Sequence, residues 1–318
     1  MIDMVSIGEY LIDFVPSGLS AQGQEQYAAC PGGAVANVAA VMAGWGHSTA
    51  LITRVGDDHF GSLLQRAIQD VGVDIRYIVR DENRHTTVAF VHWDASGDRS
   101  FTFLRDGAAD VALCVADIPV SLIQDAKILH FGSLSFTHSP AREATYLALD
   151  TAREAGCLIS YDPNLRVALW PSPADAKAGM QRGLSYCTVL KIAEEEAALL
   201  TGCKQPETAA RWLLERYDNI QVVYVTMGAQ GAWGCTRTHT VFCPAFSVEA
   251  VDTTGAGDSF MAGVLSCALK DGLPKTREAL DSAVRTGCAC GAVCATRYGA
   301  IPARPSWTEV EALRGVMQ

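Results

Sequence analysis

The sequence is poor in positive charge. Its 25 Lys and Arg stand against 35 Asp and Glu, a formal net charge of −10 over 318 residues. That deficit argues against a nucleic-acid backbone or an anionic membrane as the main partner. An anionic ligand must then be held by local dipoles, a few basic side chains or a metal. A basic leader is also missing. The opening MIDMVSIGEYLIDF carries Asp3, Glu9 and Asp13, so it reads as neither a signal peptide nor a membrane anchor. Low-complexity stretches, long polar linkers and fixed-period repeats are lacking too. The 11 cysteines are an odd count without the paired spacings of a disulfide scaffold, so a reduced, cytoplasmic protein is expected. Cys288, Cys290 and Cys294 cluster, but their spacing matches no zinc pattern.

What is present is apolar residues, 49% of the chain, enough for a sizeable core. The length suits one large α/β domain, residues 1–318, with a small appendage. MVSIG, TALITRVG, AKILHFG, CLISYD, TVLKI and QVVYVTMG read as strands separated by helical stretches. GAWGCTRTHTVFCP reads as a late hairpin, and 254–293 as largely helical. Such alternation implies a mainly parallel sheet covered by helices on both faces. Ligands bind at the carboxyl ends of such strands. Residues 86–105 break the pattern: two β-branched and aromatic runs flank Asp94–Asp98 with no helix between them. This hairpin, joined by EYLIDFVP, predicts a small separate sheet, a lid from about 9–29 and 85–110.

The stretch VDTTGAGDSFMAG, residues 251–263, raises a chemical question. SVEAV can be a strand and DSFMAGVLSCALK has helical spacing, so DTTGAG reads as a strand-to-helix turn. Gly255 and Gly257 let backbone approach a ligand closely. The first N–H groups of the helix are unpaired at the positive end of its dipole, which makes an anion site. Asp258 beside an anion suits a general base that takes a proton from an attacking hydroxyl. The same residues also fit an ordinary helix cap. No Gly-Lys-Ser/Thr follows, so this is not a Walker A loop. Phe260 stands where a dinucleotide fingerprint needs Gly.

DTTGAGDSFMAG resembles the C-terminal signature of ribokinase-like sugar kinases of the phosphofructokinase-B type. CPGGAVANVAAVMAGWG, residues 30–46, resembles the N-terminal signature. TRVGDDHFG, FLRDGAAD, YDPNLR, LKIAEEEAALLTG, VTMGAQGAW and TRYGAIPA follow in family order, and YDPNLR and FLRDGAAD look most like the fructokinase branch. The resemblance implies a Rossmann-like α/β domain with a β lid. It also implies transfer of the ATP γ-phosphoryl group to a sugar hydroxyl, with Mg²⁺ required and K⁺ as an activator.

Residue by residue, the resemblance makes Asp258 the base and Gly255, Ala256 and Gly257 the anion hole. Asp13, Gly32, Gly33 and Asn37 become sugar ligands, with Arg105 and Arg166 near sugar or phosphate. Read alone, Asp13 is better taken as a solvated lid carboxylate, and the glycines as a helix start. Lys191, Thr226, Gly228, Gly231 and Cys288 fall on the nucleotide side, though Cys288 replaces the Asn of many relatives. Glu196 matches a Glu that organises Mg²⁺ through water; Ala193 replaces its partner Asn, so nothing coordinates from there. Asp252, Thr254 and carbonyls at Cys294, Arg297 and Gly299 match a K⁺ loop. The expected activity is fructose to fructose 6-phosphate. Alternatives are a kinase for ribose, 2-keto-3-deoxygluconate or a nucleoside-like riboside, an NAD-dependent dehydrogenase, and a non-catalytic sugar-binding regulator. The expected partners are sugar and ATP, with a homodimer through the lid.

Overall fold

The computed structural model describes residues 1–93 and 99–315. In chain order the elements are β1 (Ile2–Ile7), β2 (Leu11–Leu19), β3 (Glu25–Gly32), α1 (Ala34–Gly44), β4 (Thr49–Gly56), α2 (His59–Gln69), β5 (Ile78–Asp81), β6 (Val88–Trp93) and β7 (Arg99–Leu104). There follow α3 (Val120–Gln124), β8 (Ala126–Gly132), α4 (Ala141–Glu154), β9 (Leu158–Asp162), α5 (Pro173–Leu184), β10 (Val189–Ala193), α6 (Glu194–Thr201) and α7 (Pro206–Arg216). The chain ends with β11 (Val222–Thr226), β12 (Gly231–Cys235), β13 (Thr240–Pro244), α8 (Ala256–Asp271), α9 (Arg277–Ala295) and α10 (Trp307–Gly315).

Among the described residues, nine strands form one sheet in the order β13-β12-β11-β10-β9-β8-β1-β4-β5. It is parallel from β11 to β5, and the late hairpin β12–β13 adds two antiparallel strands at one edge. Alternate strand residues feed two cores. Met4, Leu51 and Ile128 pack toward α1, α2, α8, α9 and α10. Val5, Ile52 and Leu129 pack toward α3 through α7. With both faces covered, the strands read as continuous apolar runs. Helix α1 is buried over all of Ala34–Met42 because it lies between the sheet and α8. Its all-round apolar sequence follows from that position. By contrast α2 has a polar face, and Asp58 caps it by accepting from the Gly61 N–H at 2.7 Å.

The second sheet has the order β3-β2-β6-β7. β2 runs antiparallel to β3 and parallel to β6, and β6 pairs antiparallel with β7. The expected hairpin is therefore present, while its turn at 94–98 lies outside the described residues. Phe14 stacks on Phe90 at 5.0 Å and meets the edge of Phe60 of α2 at 5.6 Å, which seats this sheet on the body.

Three details differ from the sequence reading. SVEAV is not a strand; residues 245–250 are irregular. The backbone N–H groups of Val251 and Asp252 donate to the Ala295 carbonyl instead of to a ladder partner. The short edge strand β5 and the terminal helix α10 carried too few patterned residues to be read beforehand.

Candidate active site

The carboxyl ends of β1, β8, β9 and β10 open into a cleft of about 520 Å³ roofed by the small sheet. Phe101 and Phe103 of β7 reach it from above. Gly32 ends β3 opposite Leu11, and a Cβ there would stand 2.1 Å from Asp13 Oδ2. Gly33 has φ 115°, and its Cβ would meet the Glu9 carbonyl at 2.5 Å. Only glycine lets the β3–α1 junction pass this close to β2. Asp13 is thereby held in a dry place. Burial, opposed by Arg166 and aided by Asp258, raises its pKa to about 6.

Asn37, one turn into α1, donates from Nδ2 to Asp258 Oδ2 at 2.7 Å. Asp258 is in the first turn of α8, so the N-terminal turns of two helices are tied together by this bond. Burial raises the Asp258 pKa to about 6, and the Asp162 charge adds to it. Asn37, Lys191 and Arg166 offset part of the effect. No side chain caps α8, whose N-cap is Gly255 at φ 77°. A Cβ on Gly255 would meet Ala300 Cβ at 2.6 Å, and one on Gly257 would meet Lys191 Nζ at 3.0 Å. The turn is thus packed from behind and open in front, with its dipole facing the cleft.

Behind the turn, Lys191 and Asp162 form an ion pair of 2.9 Å, with side chains only 8% and 2% exposed. Burial works against the Lys191 charge, but Asp162 and Glu196 outweigh it and its pKa is raised. Asp162 Oδ1 is buried without a hydrogen-bond partner. Glu196 accepts from the N–H groups of Leu165 at 2.6 Å and Ala193 at 2.9 Å. Both its oxygens therefore brace the loop after β9 against the start of α6. That loop presents Asn164 and Arg166 to the cleft, with the Arg166 guanidinium 5.4 Å from the Phe101 ring.

A second cleft of about 570 Å³ adjoins the first and shares Thr253 and Gly257 with it. Thr226, Gly228, Gly231 and Cys288 line it, together with Ala256, Phe246, Phe260 and Gly291. Its walls are mostly apolar, which suits a flat heterocycle more than a sugar. Asp252 sits at the rim of the turn. It accepts from Thr254 N–H and Oγ1 at 2.9 and 2.7 Å and from Gly299 N–H at 2.8 Å. This carboxylate ties the turn to the 297–300 loop, while Cys294 Sγ donates to the Thr254 carbonyl at 3.5 Å. The Arg297 side chain turns away to Glu309.

The structure thus brings Asp13, Gly33, Asn37, Arg166, Lys191, Thr254, Gly255, Gly257 and Asp258 to one cleft. Arg105 is different. It is 3% exposed, and its guanidinium donates to Asp110 at 2.8 Å, Thr137 at 2.8 Å and the Leu134 carbonyl at 3.2 Å. It stands behind the Leu134 wall as a clamp on the 105–110 loop. Glu9 and Asp162 were not singled out from the sequence. Glu9 lines the cleft, accepts from the Ala34 N–H at 3.2 Å, and has a pKa raised by burial to about 7. The signal for both was an acid at or within two residues of the end of an apolar strand, where ligands bind.

The model of the pfkB family carbohydrate kinases matches residues 1–307. Fructokinase-1 of Oryza sativa subsp. japonica is 40% identical over 314 residues, which cover 98% of this chain and 96% of that protein. The fructokinase of Xylella fastidiosa, solved with bound ATP, superposes with a TM-score of 0.90 at 31% identity over 99% of both chains. A double mutant of the Vibrio cholerae O395 fructokinase, solved with fructose, ADP and potassium, gives 0.87 at 33% identity over 98% of both.

Proposed function

The chain belongs to the pfkB family of carbohydrate kinases, and from that premise we propose that it is an ATP-dependent fructokinase. The reaction is transfer of the γ-phosphoryl group to fructose, giving fructose 6-phosphate. One observation carries the reading: Asp258, held by Asn37 at 2.7 Å, stands on an uncapped helix start where two clefts meet. The polar first cleft suits a sugar and the apolar second cleft an adenine. They share Thr253 and Gly257, which supports a phosphate position at the turn.

In this reading Asp258 takes the proton of the attacking hydroxyl. The turn at Gly255, Ala256 and Gly257 offers backbone N–H groups to charge developing on the phosphoryl oxygens. Lys191 adds positive charge behind it. Asp13, Gly32, Gly33 and Asn37 receive the sugar, whose hydroxyls pair with a carboxylate and an amide. Arg166 stands over the same space. Phe101 and Phe103 of the lid limit water.

Magnesium would reach the site chiefly on the nucleotide's own phosphates, because among the described residues no three acidic, His or Cys groups converge on one point. Asp162 Oδ1 has no hydrogen-bond partner but is buried away from both clefts, so Asp162 would act on the ion only through Lys191. Glu196, with both oxygens engaged, acts through the loop it braces. When bound, the ion screens charge between the phosphates. Potassium would sit at the Asp252 rim that the family resemblance points to, where Asp252, already accepting from Thr254 and Gly299, shapes the loop around it. We read residues 1–318 as one kinase domain with a lid, working in a reducing cytoplasm. All eleven cysteines are free thiols, and among the described residues no helix is long and apolar enough to cross a membrane. A homodimer through the lid would cover its edge strands β3 and β7. A monomer mass in light scattering at micromolar concentration excludes it.

A coupled assay of ADP release tests the substrate. Fructose should exceed ribose, adenosine and 2-keto-3-deoxygluconate in kcat/KM by at least roughly tenfold, about 1.4 kcal/mol of transition-state binding. If another acceptor wins, the fructose assignment fails and the broader kinase reading stands.

A further inference from the structure

The cysteine cluster near the chain end has no part in the mechanism above. Cys288, on α9, lines the second cleft and is 8% exposed. Its thiol donates to the Cys243 carbonyl at 3.9 Å, and the Cys243 thiol on β13, beside it, donates to the Pro244 carbonyl at 3.4 Å. Two residues beyond Cys243 the chain itself enters the cleft wall at Ala245 and Phe246. The packing there is tight: a Cβ on Gly231 would stand 2.1 Å from the Cys243 carbonyl and 2.8 Å from the Ala245 nitrogen.

We propose that Cys243 and Cys288 form an oxidation site in the wall of the nucleotide cleft, closed to a disulfide by hydrogen peroxide that enters the cleft when no nucleotide is bound. The inference rests on reading that cleft as the nucleotide site. One thiolate of the pair attacks the peroxide oxygen and releases hydroxide, leaving a sulfenic acid. The second thiol attacks that sulfur, and water leaves as the disulfide forms. Two thiols and one peroxide give one disulfide and two waters. The Cys288 thiol, ahead of the burial that opposes it, holds the Cys243 thiol below its ordinary pKa, and Arg285 adds to this. Cys243 is 1% exposed and is not among the residues that line the cleft, so the peroxide meets the Cys288 sulfur first and the Cys243 thiol attacks the sulfenic acid that results.

The bond has a mechanical consequence. Disulfide sulfurs stand about 2.05 Å apart, well inside a non-bonded contact. Closing that gap draws α9 toward β13. Gly291 and Ala292 follow Cys288 on α9, and Ala245 and Phe246 follow Cys243, so the bond acts on two segments that line the cleft. Nucleotide affinity should fall while the sugar cleft is untouched.

The test uses the full-length protein, reduced and then treated with hydrogen peroxide, with or without saturating MgADP. Peptide mapping should find Cys243 joined to Cys288. Calorimetry should then show at least tenfold weaker ADP binding, restored by dithiothreitol, and MgADP should slow bond formation at least fivefold. Cys243→Ser should keep the basal ADP affinity and lose the peroxide response; Cys243→Ala gives the same reading if the first variant is unstable. A treated protein without the 243–288 link, or a linked protein that binds ADP as before, overturns the proposal. Reduced protein that binds no ADP overturns both this inference and the kinase reading. A protein that gives all the expected results but phosphorylates no sugar removes only the fructokinase assignment.

Discussion

Asp258→Asn should destroy turnover and at the same time stabilise the fold, with a pH dependence fixed by the carboxyl's burial. Its pKa is raised from 3.8 to about 6, first by burial and then by Asp162. A carboxyl with a native pKa above its unfolded value binds its proton more tightly when folded. Its favourable contribution is full below pH 3.8 and is lost as pH rises through about 6. At pH 8 the ionised form therefore costs about 2–3 kcal/mol relative to a neutral side chain, at about 1.36 kcal/mol per pKa unit. An amide can take its place without leaving a polar group alone. Asn37 Nδ2 still finds an acceptor, and Asn37 Oδ1, buried without a partner, gains a donor.

The variant should thus melt on the order of 5 °C higher at pH 8. The gain should shrink to about half at pH 5 and vanish at more acid pH. Over the same range kcat should fall by about 10²–10⁴, the usual contribution of a positioned base. Scanning calorimetry at pH 5 and 8 and steady-state kinetics at pH 8 give the two readouts. A variant that keeps most of kcat shows that Asp258 is not the base. A dead variant whose melting temperature matches wild type at both pH values shows that the carboxylate is well solvated.

Asp13→Ala should raise the KM for fructose strongly and leave that for ATP nearly unchanged. Gly32→Ala should do the same through its Cβ, 2.1 Å from Asp13 Oδ2; an ATP-side effect in either contradicts the placement. Activity should require Mg²⁺ and rise when K⁺ replaces Na⁺, because Asp252 and Thr254 lie beside the anion turn. Equal rates in the two salts remove the K⁺ site, and full activity in excess chelator removes the metal. Fructose should lower hydrogen exchange in β6 and β7, and ATP alone much less, since Phe101 and Phe103 reach the first cleft. Unchanged exchange at saturating sugar ends the lid role.

The body of the fold was legible because its strands and helices differ in period and the strands are buried on both faces. The small sheet was legible for the opposite reason, a hairpin texture with no helix between its runs. SVEAV misled because two β-branched residues resemble a strand, whereas tertiary contacts with Ala295 satisfy the backbone there. Within the site, the glycine turn announced itself through small residues before an acid. Arg105 shows the limit of such reading. An arginine in a motif gives no sign of whether its guanidinium faces the cleft or, as here, is spent on Asp110 and Thr137. Glu196 shows another, since three consecutive acids do not reveal that one of them braces Leu165.

The charges of the cleft explain how an acidic chain can accept a polyanion and still keep a base beside it. Asp162 and Lys191 largely cancel across 2.9 Å. Glu9, with a pKa of about 7, is about half neutral at physiological pH. What faces an incoming phosphate is then the uncapped start of a 16-residue helix, with Lys191 behind it. Asp13 and Asp258 stay ionised at neutral pH but only about one unit above their pKa values of about 6. A phosphate placed near Asp258 raises its pKa further, which makes it a stronger base when both substrates are present. If Asp258 is the base, the burial that destabilises the free protein is the same burial that tunes it, and relieving it should gain stability only by losing chemistry.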